Sequence, residues 1–423
     1  MYKAAGGRKK DMGDDSNLRR GLRCQICTGC GLCPGVTPAG AVTGGLCVLS
    51  EDALSGDKVP IRGNRRLAVA DIGTTTIAML LYNEDGSVAD RSVAVNPQVV
   101  YGADVLSRIR AAEDMEAAAD MQAMVRGQLE QGLKRFADSL RSEEELYLVL
   151  AANTTMTYLL MGWDPAELGR APFCASYLSG AETKIGDVPC FVFPGLSAFV
   201  GGDIAAGIYA VNMCGREGLT LLLDLGTNGE MVLGNRERRI ACSTAAGPAF
   251  EGGVNRGIWG ADMISLLARL RIEGILDETG LLAEPYFTRG IRIGNVTVTQ
   301  EAVRSVQLAK GAIAAGIEVL LNKYGAGPEA VEQVILAGGF GYYLQPDAAV
   351  RIGLLPETLG KKTITGGNTA LTGALLAGRQ IVEDGKTDRI RAKFEETVLR
   401  TEVINLAEEA DFEKLYLHQM NFR

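Results

Sequence analysis

The chain has 423 residues, 47% of them hydrophobic and 22% charged, which is ordinary for a folded protein of two to three packed units. A net charge of −8 and a pI near 5.1 exclude a nucleic-acid binder that works through a general basic face. No apolar run approaches the ~18 to 20 residues of a membrane span, and the start of the chain lacks the apolar core of a signal peptide, so a cytoplasmic protein without membrane contact is expected.

Residues 1–60 read as a small appended unit, rich in Gly, Pro and charge, with five of the nine cysteines. RCQICTGCGLCPG sets Cys24, Cys27, Cys30 and Cys33 at a constant spacing of three, and Cys47 follows. In a reducing compartment such clustered thiols bind metal rather than pair as disulfides. The tight run ending in Pro34 resembles a ferredoxin run, in which three close thiolates hold one [4Fe–4S] cube and the fourth ligand comes from elsewhere. Structural zinc is the rival, although it usually takes two Cys pairs separated by a longer finger. Cys33 and Cys47 both stand as candidates for the fourth ligand.

From Leu67 the pattern LAVADIGTTTIAMLLYNEDG predicts strand, Asp-Gly turn and strand, with a hairpin loop at 84–87. Helical spacing follows over 103–140, then a buried strand from Leu146 running into a short helix. CFVFPG at 190–195 precedes a small-residue helix at 201–210, which leads into a second hairpin, TLLLDLGTNGEMVLGNRE from Thr220. A long amphipathic helix is predicted at 299–325, a strand from Val334 ending in AGGFG, and a second small-residue helix at 366–378. The remaining residues read as a closing edge, giving four segments: 1–60, 65–215, 216–380 and 381–423. Cys174, Cys190, Cys214 and Cys242 stand singly and read as core, as do Trp163, Trp259 and the Met-rich stretch around Met121.

The two hairpins superpose Asp71 on Asp224, Gly73 on Gly226 and Thr74 on Thr227, 153 positions apart, which marks an internal duplication. Each carries an aspartate at a strand end, a glycine that lets the backbone approach a ligand, and threonine hydroxyls and amides facing it. As turn chemistry alone a single copy would be unremarked; two matched copies point to a phosphate held between two half-domains. With one histidine in the chain, His418 near the end, acid, base and metal work falls to carboxylates.

This order of two phosphate hairpins, two small-residue helices and a glycine-rich strand resembles the ATPase superfamily of actin, sugar kinases, acetate kinase and the heat-shock chaperones. The resemblance implies a duplicated actin-like (ribonuclease H-like) α/β fold with two lobes around a cleft for ATP and Mg²⁺. Carried over by residue, it makes Asp71, Gly73, Thr74, Thr75 and Thr76 the first phosphate loop and Asp224, Gly226, Thr227, Asn228 and Gly229 the second. Asp203 falls where chaperone ATPases carry an acid at the head of the first connecting helix. Gly338, Gly339 and Phe340 would lie against the adenosine, and Gln307 and Lys310 fall on the helix that faces the adenine. Asp71, Asp203 and Asp224 would reach Mg²⁺ through its waters, one of them orienting the attacking water.

Longer strings, among them DIGTTTIAMLLY, NPQVVYGADVLSRI, AANTTMTYLLMG, LLLDLGTNGEMVL and STAAGPAFEGG, resemble the reductive activators of corrinoid-dependent enzymes from Leu67 to the end of the chain. That resemblance implies an ATP-hydrolysing oxidoreductase that passes an electron from its iron–sulfur cluster to an inactive Co(II) corrinoid protein and restores Co(I), with reduced ferredoxin or a similar donor. The cysteine unit departs from the plant-type [2Fe–2S] domain or two-cluster ferredoxin of that family. Three readings therefore stand beside it: a cluster shared across a homodimer, an electron donor of the 2-hydroxyacyl-CoA dehydratase-activator type, and a small-molecule kinase with a structural zinc site.

Overall fold

The computed structural model describes residues 60–62, 65–244, 260–293, 296–341 and 343–422; the five N-terminal cysteines and Trp259 lie outside them. Among the described residues no helix is long and apolar enough to cross a membrane.

Two six-stranded sheets form the framework. In the first, β1 (Arg65–Ile72), β2 (Thr76–Tyr82) and β3 (Val88–Val95) make an antiparallel meander. Across β1 lies β4 (Glu145–Ala152) in parallel, and beyond it the hairpin of β5 (Ala181–Ile185) and β6 (Val188–Val192), whose second strand runs parallel to β4. In the second sheet β7 (Leu219–Leu225), β8 (Gly229–Gly234) and β9 (Arg239–Thr244) repeat the meander. A separate two-stranded hairpin, β10 (Ile291–Ile293) with β11 (Val296–Val298), precedes β12 (Val331–Ala337) and β13 (Thr363–Gly367), which extend the second sheet in parallel from β7. The orders β3-β2-β1-β4-β6 and β9-β8-β7-β12-β13 are the same path taken twice. The duplication seen in two hairpins thus covers both sheets.

Helices fill the layers between and outside the sheets. On the first half lie α1 (Val105–Ala111), α2 (Met115–Ala137), α3 (Thr154–Met161) and α4 (Gly202–Ala210). Along the second half of the chain follow α5 (Gly260–Ile272), α6 (Gln300–Tyr324), α7 (Thr369–Asp384), α8 (Asp388–Leu399) and α9 (Phe412–Gln419), of which α7 packs against β1 and β4 of the first sheet. Because strand side chains alternate, each central strand feeds two cores. Leu67 and Val69 join Leu222, Val232 and Ile335 in a core between the lobes, while Ala68, Ala70 and Ile72 meet Met121, Val125, Leu129 and Phe136 of α2 on the outside. Leu221, Leu223 and Leu225 likewise face outward toward α5 and α6.

The helix expected over 103–140 is broken. Asp104 accepts a hydrogen bond from the Ser107 amide and starts α1; Asp114 accepts from the Glu116 and Ala117 amides and starts α2. Two N-caps in one periodic stretch make two helices, since each aspartate satisfies amides that a continuous helix would bond internally. The 299–325 helix has its Thr299 cap and a left-handed Gly325 at its end. Residues after 381 close the second sheet: β14 (Thr401–Val403) pairs in parallel with β9, and α9 packs along α6.

Cys190 and Cys242 are buried as expected, but Cys174 and Cys214 are exposed. Cys174 sits in the irregular connection after a left-handed Phe173, and Cys214 in a short turn beyond α4, so neither belongs to a packed element. Trp163 packs as expected, stacked on Tyr177 and edge-on to Tyr158.

The two small-residue helices cross. A Cβ on Gly373 of α7 would stand 2.1 Å from the Ala206 carbonyl oxygen of α4. By contrast, a Cβ on Gly127 of α2 meets nothing within 4 Å. Gly373→Ala is therefore expected to cost about 1–3 kcal/mol in urea unfolding, and Gly127→Ala to gain up to about 1 kcal/mol. Equal responses of the two helices would contradict the crossing.

Candidate functional site

Both Asp-Gly-Thr turns lie at the carboxyl ends of the central strands. The first runs from Ile72, which pairs with Ile77, so four residues make the turn; in the second Leu225 pairs with Gly229 across three. In each the glycine amide turns back on the loop: Gly73 N donates to Thr76 O at 2.9 Å and Gly226 N to Asn228 O at 2.9 Å. The turns meet, with Thr75 Oγ1 and Thr227 Oγ1 3.3 Å apart. Residues 152 positions apart in sequence thus join the two halves at one point.

Asparagines at helix starts hold the first turn. Asn153, whose Oδ1 caps α3, donates to Thr74 Oγ1 at 3.2 Å, and Asn368, whose Oδ1 caps α7, donates to Asp71 Oδ2 at 2.7 Å. Asn96 Nδ2 donates to Gly73 O at 2.9 Å, and Arg108 Nη2 to Thr74 O at 2.6 Å. Asp203 lies in the first turn of α4, where its Oδ1 accepts from the Ile204 amide. The glycine strand β12 ends in a helical turn, Gly338–Gly341. Gly338 has φ +79°, and a Cβ on it would fall 2.4 Å from Asp224 Oδ1, so only glycine lets the backbone pass that carboxylate.

The structure brings Asp71, Asp203 and Asp224 together and adds Glu230, which stands opposite Asp224 in the β7–β8 pair. All four keep partial access to solvent. They nevertheless lie so deep in the seam that burial is the main cause raising each carboxyl. Asp71 is pushed up to about 6 by burial, partly offset by the hydrogen bond it accepts from Asn368. Asp203 rises to about 7 by burial and the Asp71 charge, Asp224 to about 8 by burial and the charges of Asp203 and Asp71. Glu230 is raised well above its usual value by burial, then by Asp203 and Asp224. Among the described residues none of the four has an arginine or lysine salt-bridge partner.

Among the described residues, then, these four acids repel one another without an arginine or lysine paired to them, and a bound cation would relieve that repulsion. The acids do not close on one point: among the described residues no three His, Cys, Asp or Glu side chains are grouped to bind one ion directly. A Mg²⁺ that keeps several waters and takes its remaining ligands from phosphate fits such a set.

Gln307 and Lys310 both lie on α6, and their side chains are bonded within the protein. Gln307 is buried with its Nε2 on Thr279 O, and Lys310 donates to Asn421 O beneath the Phe422 ring. That face of α6 is covered by the 277–282 turn and the end of the chain, segments with no pattern to announce where they pack. Phe340 is also buried, in the core of the second half. A polar hollow of about 400 Å³ lined by Arg216, Glu217 and Glu332 lies at the opposite end of β7 from Asp224 and holds none of the four acids.

Glu230 escapes a reading by superposition because the second turn is one residue shorter. Counted from the aspartate, its equivalent in the first hairpin is Ile77, whereas pairing sets Asp71 against Ala78 and Asp224 against Glu230. An acid in an otherwise apolar strand, GEMVLG, is the signal. For Asn153 and Asn368 the signal is an Asn between a buried strand and a helix.

Duplicated sheets of this path, crossing helices and facing Asp-Gly-Thr turns define the two-lobed actin-like α/β fold, the ASKHA class. Residues 67–216 match the family model described as the RACo middle region, and 218–256 and 254–423 match that of the C-terminal domain of RACo, the ASKHA domain. The chain belongs to the RACo family. It is similar to the corrinoid activation enzyme RamQ of Eubacterium limosum, 29% identical over 72% of this chain and 63% of that protein. It is also similar to the Co(II) methylated amine-specific corrinoid protein reductase of Methanosarcina barkeri, 24% identical over 52% of this chain and 49% of that one. The chain thus spans less than two thirds of the length of these curated relatives. Among solved structures, a reductive activator for corrinoid, iron-sulfur protein superposes with a TM-score of 0.74 at 27% identity, over 87% of this chain and 67% of the other.

The raised carboxyls set a pH dependence. Unfolded, the aspartates ionise near 3.8; folded, they hold protons to about 6, 7 and 8. Their contribution to stability is fully present below 3.8 and is lost as pH rises through that window, because the folded state binds the extra protons. Metal- and nucleotide-free protein should therefore unfold at lower urea at about pH 8.5 than at about pH 5.5, and Asp224→Asn should flatten the slope. A wild-type slope of the opposite sign would contradict the cluster.

Proposed function

We propose that the protein is an ATP-dependent reductive activator of corrinoid proteins, returning inactive Co(II) to Co(I). The carrying observation is the meeting of the two Asp-Gly-Thr turns over a deep-set carboxylate cluster that, among the described residues, has no arginine or lysine salt-bridge partner. Its family membership and the names of its relatives support the corrinoid protein as acceptor.

Mg·ATP would sit in the seam, where the metal would neutralise the carboxylate cluster and charge on the phosphates. Thr74, Thr75 and Thr76 would face the phosphates from one side and Thr227, Asn228 and Gly229 from the other, displacing the Thr75–Thr227 contact. Gly338 and Gly339 offer bare backbone to the adenosine, with Phe340 packed beneath. Asp71, Asp203 and Asp224 would hold Mg²⁺ through its waters and one of them would orient the attacking water, while Glu230 would add a fourth carboxylate to the set. The α4–α7 crossing connects the halves and is the natural hinge for opening the seam.

A [4Fe–4S] cluster on Cys24, Cys27 and Cys30, completed by Cys33 or Cys47, would supply one-electron capacity. The soft, closely spaced thiolate set suits it. A reduced ferredoxin or similar protein fits as donor, and a homodimer is compatible with a shared cluster.

Asp71→Ala and Asp224→Ala are each expected to lower ATP turnover roughly 100-fold or more while iron content stays at the wild-type level. Asp203→Asn should bind Mg·ATP yet turn it over slowly. In the anaerobic assay, reductant, Mg·ATP and a Co(II) corrinoid protein should yield the Co(I) spectrum with wild type. Cys24→Ser, Cys27→Ser and Cys30→Ser should lose iron and Co(I) formation but keep ATP hydrolysis at least in part. ATP hydrolysis without Co(I) from any cognate corrinoid protein would refute the acceptor; near-normal turnover in Asp224→Ala would refute the site.

A further inference from the structure

The first phosphate turn is gripped from behind at three successive carbonyls. Gly73 O accepts from Asn96 Nδ2 at 2.9 Å, Thr74 O from Arg108 Nη2 at 2.6 Å, and Thr75 O from the Asn96 amide at 2.8 Å. In a trans peptide the carbonyl and the following N–H point to opposite sides. With all three carbonyls drawn toward Asn96 and Arg108, the amides of Thr74, Thr75 and Thr76 are turned the other way. At the tip of the same turn, Thr75 Oγ1 stands 3.3 Å from Thr227 Oγ1 of the second turn. Successive amides aimed into one concavity form an anion nest.

Arg108 is built for this position. It is fully buried, and its remaining donors are spread over Gly102 O at 3.0 Å, Gln98 Oε1 at 3.4 Å and Met156 Sδ at 3.4 Å. Gln98 is itself fixed by donating to Met121 O. Asp104, the cap of α1, lies within electrostatic reach. Burying a guanidinium is costly, so a hydrophobic residue would hold α1 against the sheet at least as well. What a hydrophobic residue cannot do is fix the Thr74 carbonyl and set a positive charge directly behind the turn.

We infer that Arg108 is a positioning residue for nucleotide phosphate: it locks the Thr74–Thr75 peptide so that the amides of the first turn face the phosphate oxygens, and it backs them with its charge. The inference rests on the nucleotide reading above, but it assigns a role to a residue that does not touch the ligand. It also gives the segment from Asn96 to Arg108 its function, since one short stretch supplies Asn96, Gln98, Gly102 and Arg108.

The test is isothermal titration of full-length wild type, Arg108→Met and Arg108→Lys with Mg·ATP and, separately, with adenosine. Arg108→Met should bind Mg·ATP roughly 10- to 100-fold more weakly, as expected for loss of hydrogen bonds from a charged donor, with adenosine affinity unchanged. Arg108→Lys keeps the charge but reaches fewer carbonyls, so its Mg·ATP affinity should fall between the two, again with adenosine unchanged. A general structural role would move both ligands together, and that result, or an Mg·ATP affinity equal to wild type, overturns the inference. If Arg108→Met does not fold, Arg108→Lys decides alone: weaker Mg·ATP with unchanged adenosine supports the role, and equal Mg·ATP affinity removes it. Wild-type protein without affinity for Mg·ATP would sink the nucleotide reading itself, whereas a normal Arg108→Met sinks only this inference.

Discussion

Four carboxylates set deep in one seam resist being ionised together, and most of the molecule is arranged around that constraint. Asp71 and Asp224 come from the ends of equivalent strands, Asp203 from the head of α4, and Glu230 from the strand paired with Asp224. Their mutual repulsion raises Asp203, Asp224 and Glu230 above their usual values after burial has done so already. Holding them together costs stability, which a divalent cation with phosphate would restore.

The duplication makes this economical. One strand–turn–strand unit supplies an aspartate and a glycine–threonine turn, and its repeat supplies the opposing pair. The lobes then need a joint that keeps the turns in register. Small residues on α4 and α7 provide it, because Gly373 brings α7 against the Ala206 carbonyl and Asn368, at the head of the same helix, reaches Asp71. The joint and the site therefore share a helix: a shift of α7 moves the donor that sets the Asp71 carboxyl. Duplication also leaves room for asymmetry, since a turn shorter by one residue exchanges Ala78 for Glu230 opposite the strand-end aspartate.

What could be read in the sequence was whatever repeats or has a period. Asp71/Asp224, Gly73/Gly226 and Thr74/Thr227 announce themselves as a pair, the glycine and alanine runs announce close helix packing, and the apolar strands announce a buried parallel sheet. What escaped depends on contacts between distant segments. Glu230 requires the pairing register, not the alignment of hairpins. Asn153 and Asn368 look like ordinary helix caps until their second hydrogen bonds reach Thr74 and Asp71. Arg108 falls in a stretch whose helical spacing hides the break at Asp114, and nothing local says that it reaches back to Thr74. Gln307 and Lys310 lie on a face of α6 that the chain's own end covers.

The most direct test of the seam as a Mg·nucleotide site is the count of protons released when it fills. Preformed Mg·ATP is titrated into metal-free protein in buffers of different ionisation enthalpy, at about pH 6.5 and about pH 9, and the buffer dependence of the heat gives the protons exchanged. Asp203 and Asp224, raised to about 7 and about 8 in the empty protein, must ionise to face the metal. The account predicts release of about one proton or more at the lower pH and a much smaller release at the higher. Binding with no release at either pH, or with net proton uptake, would contradict it.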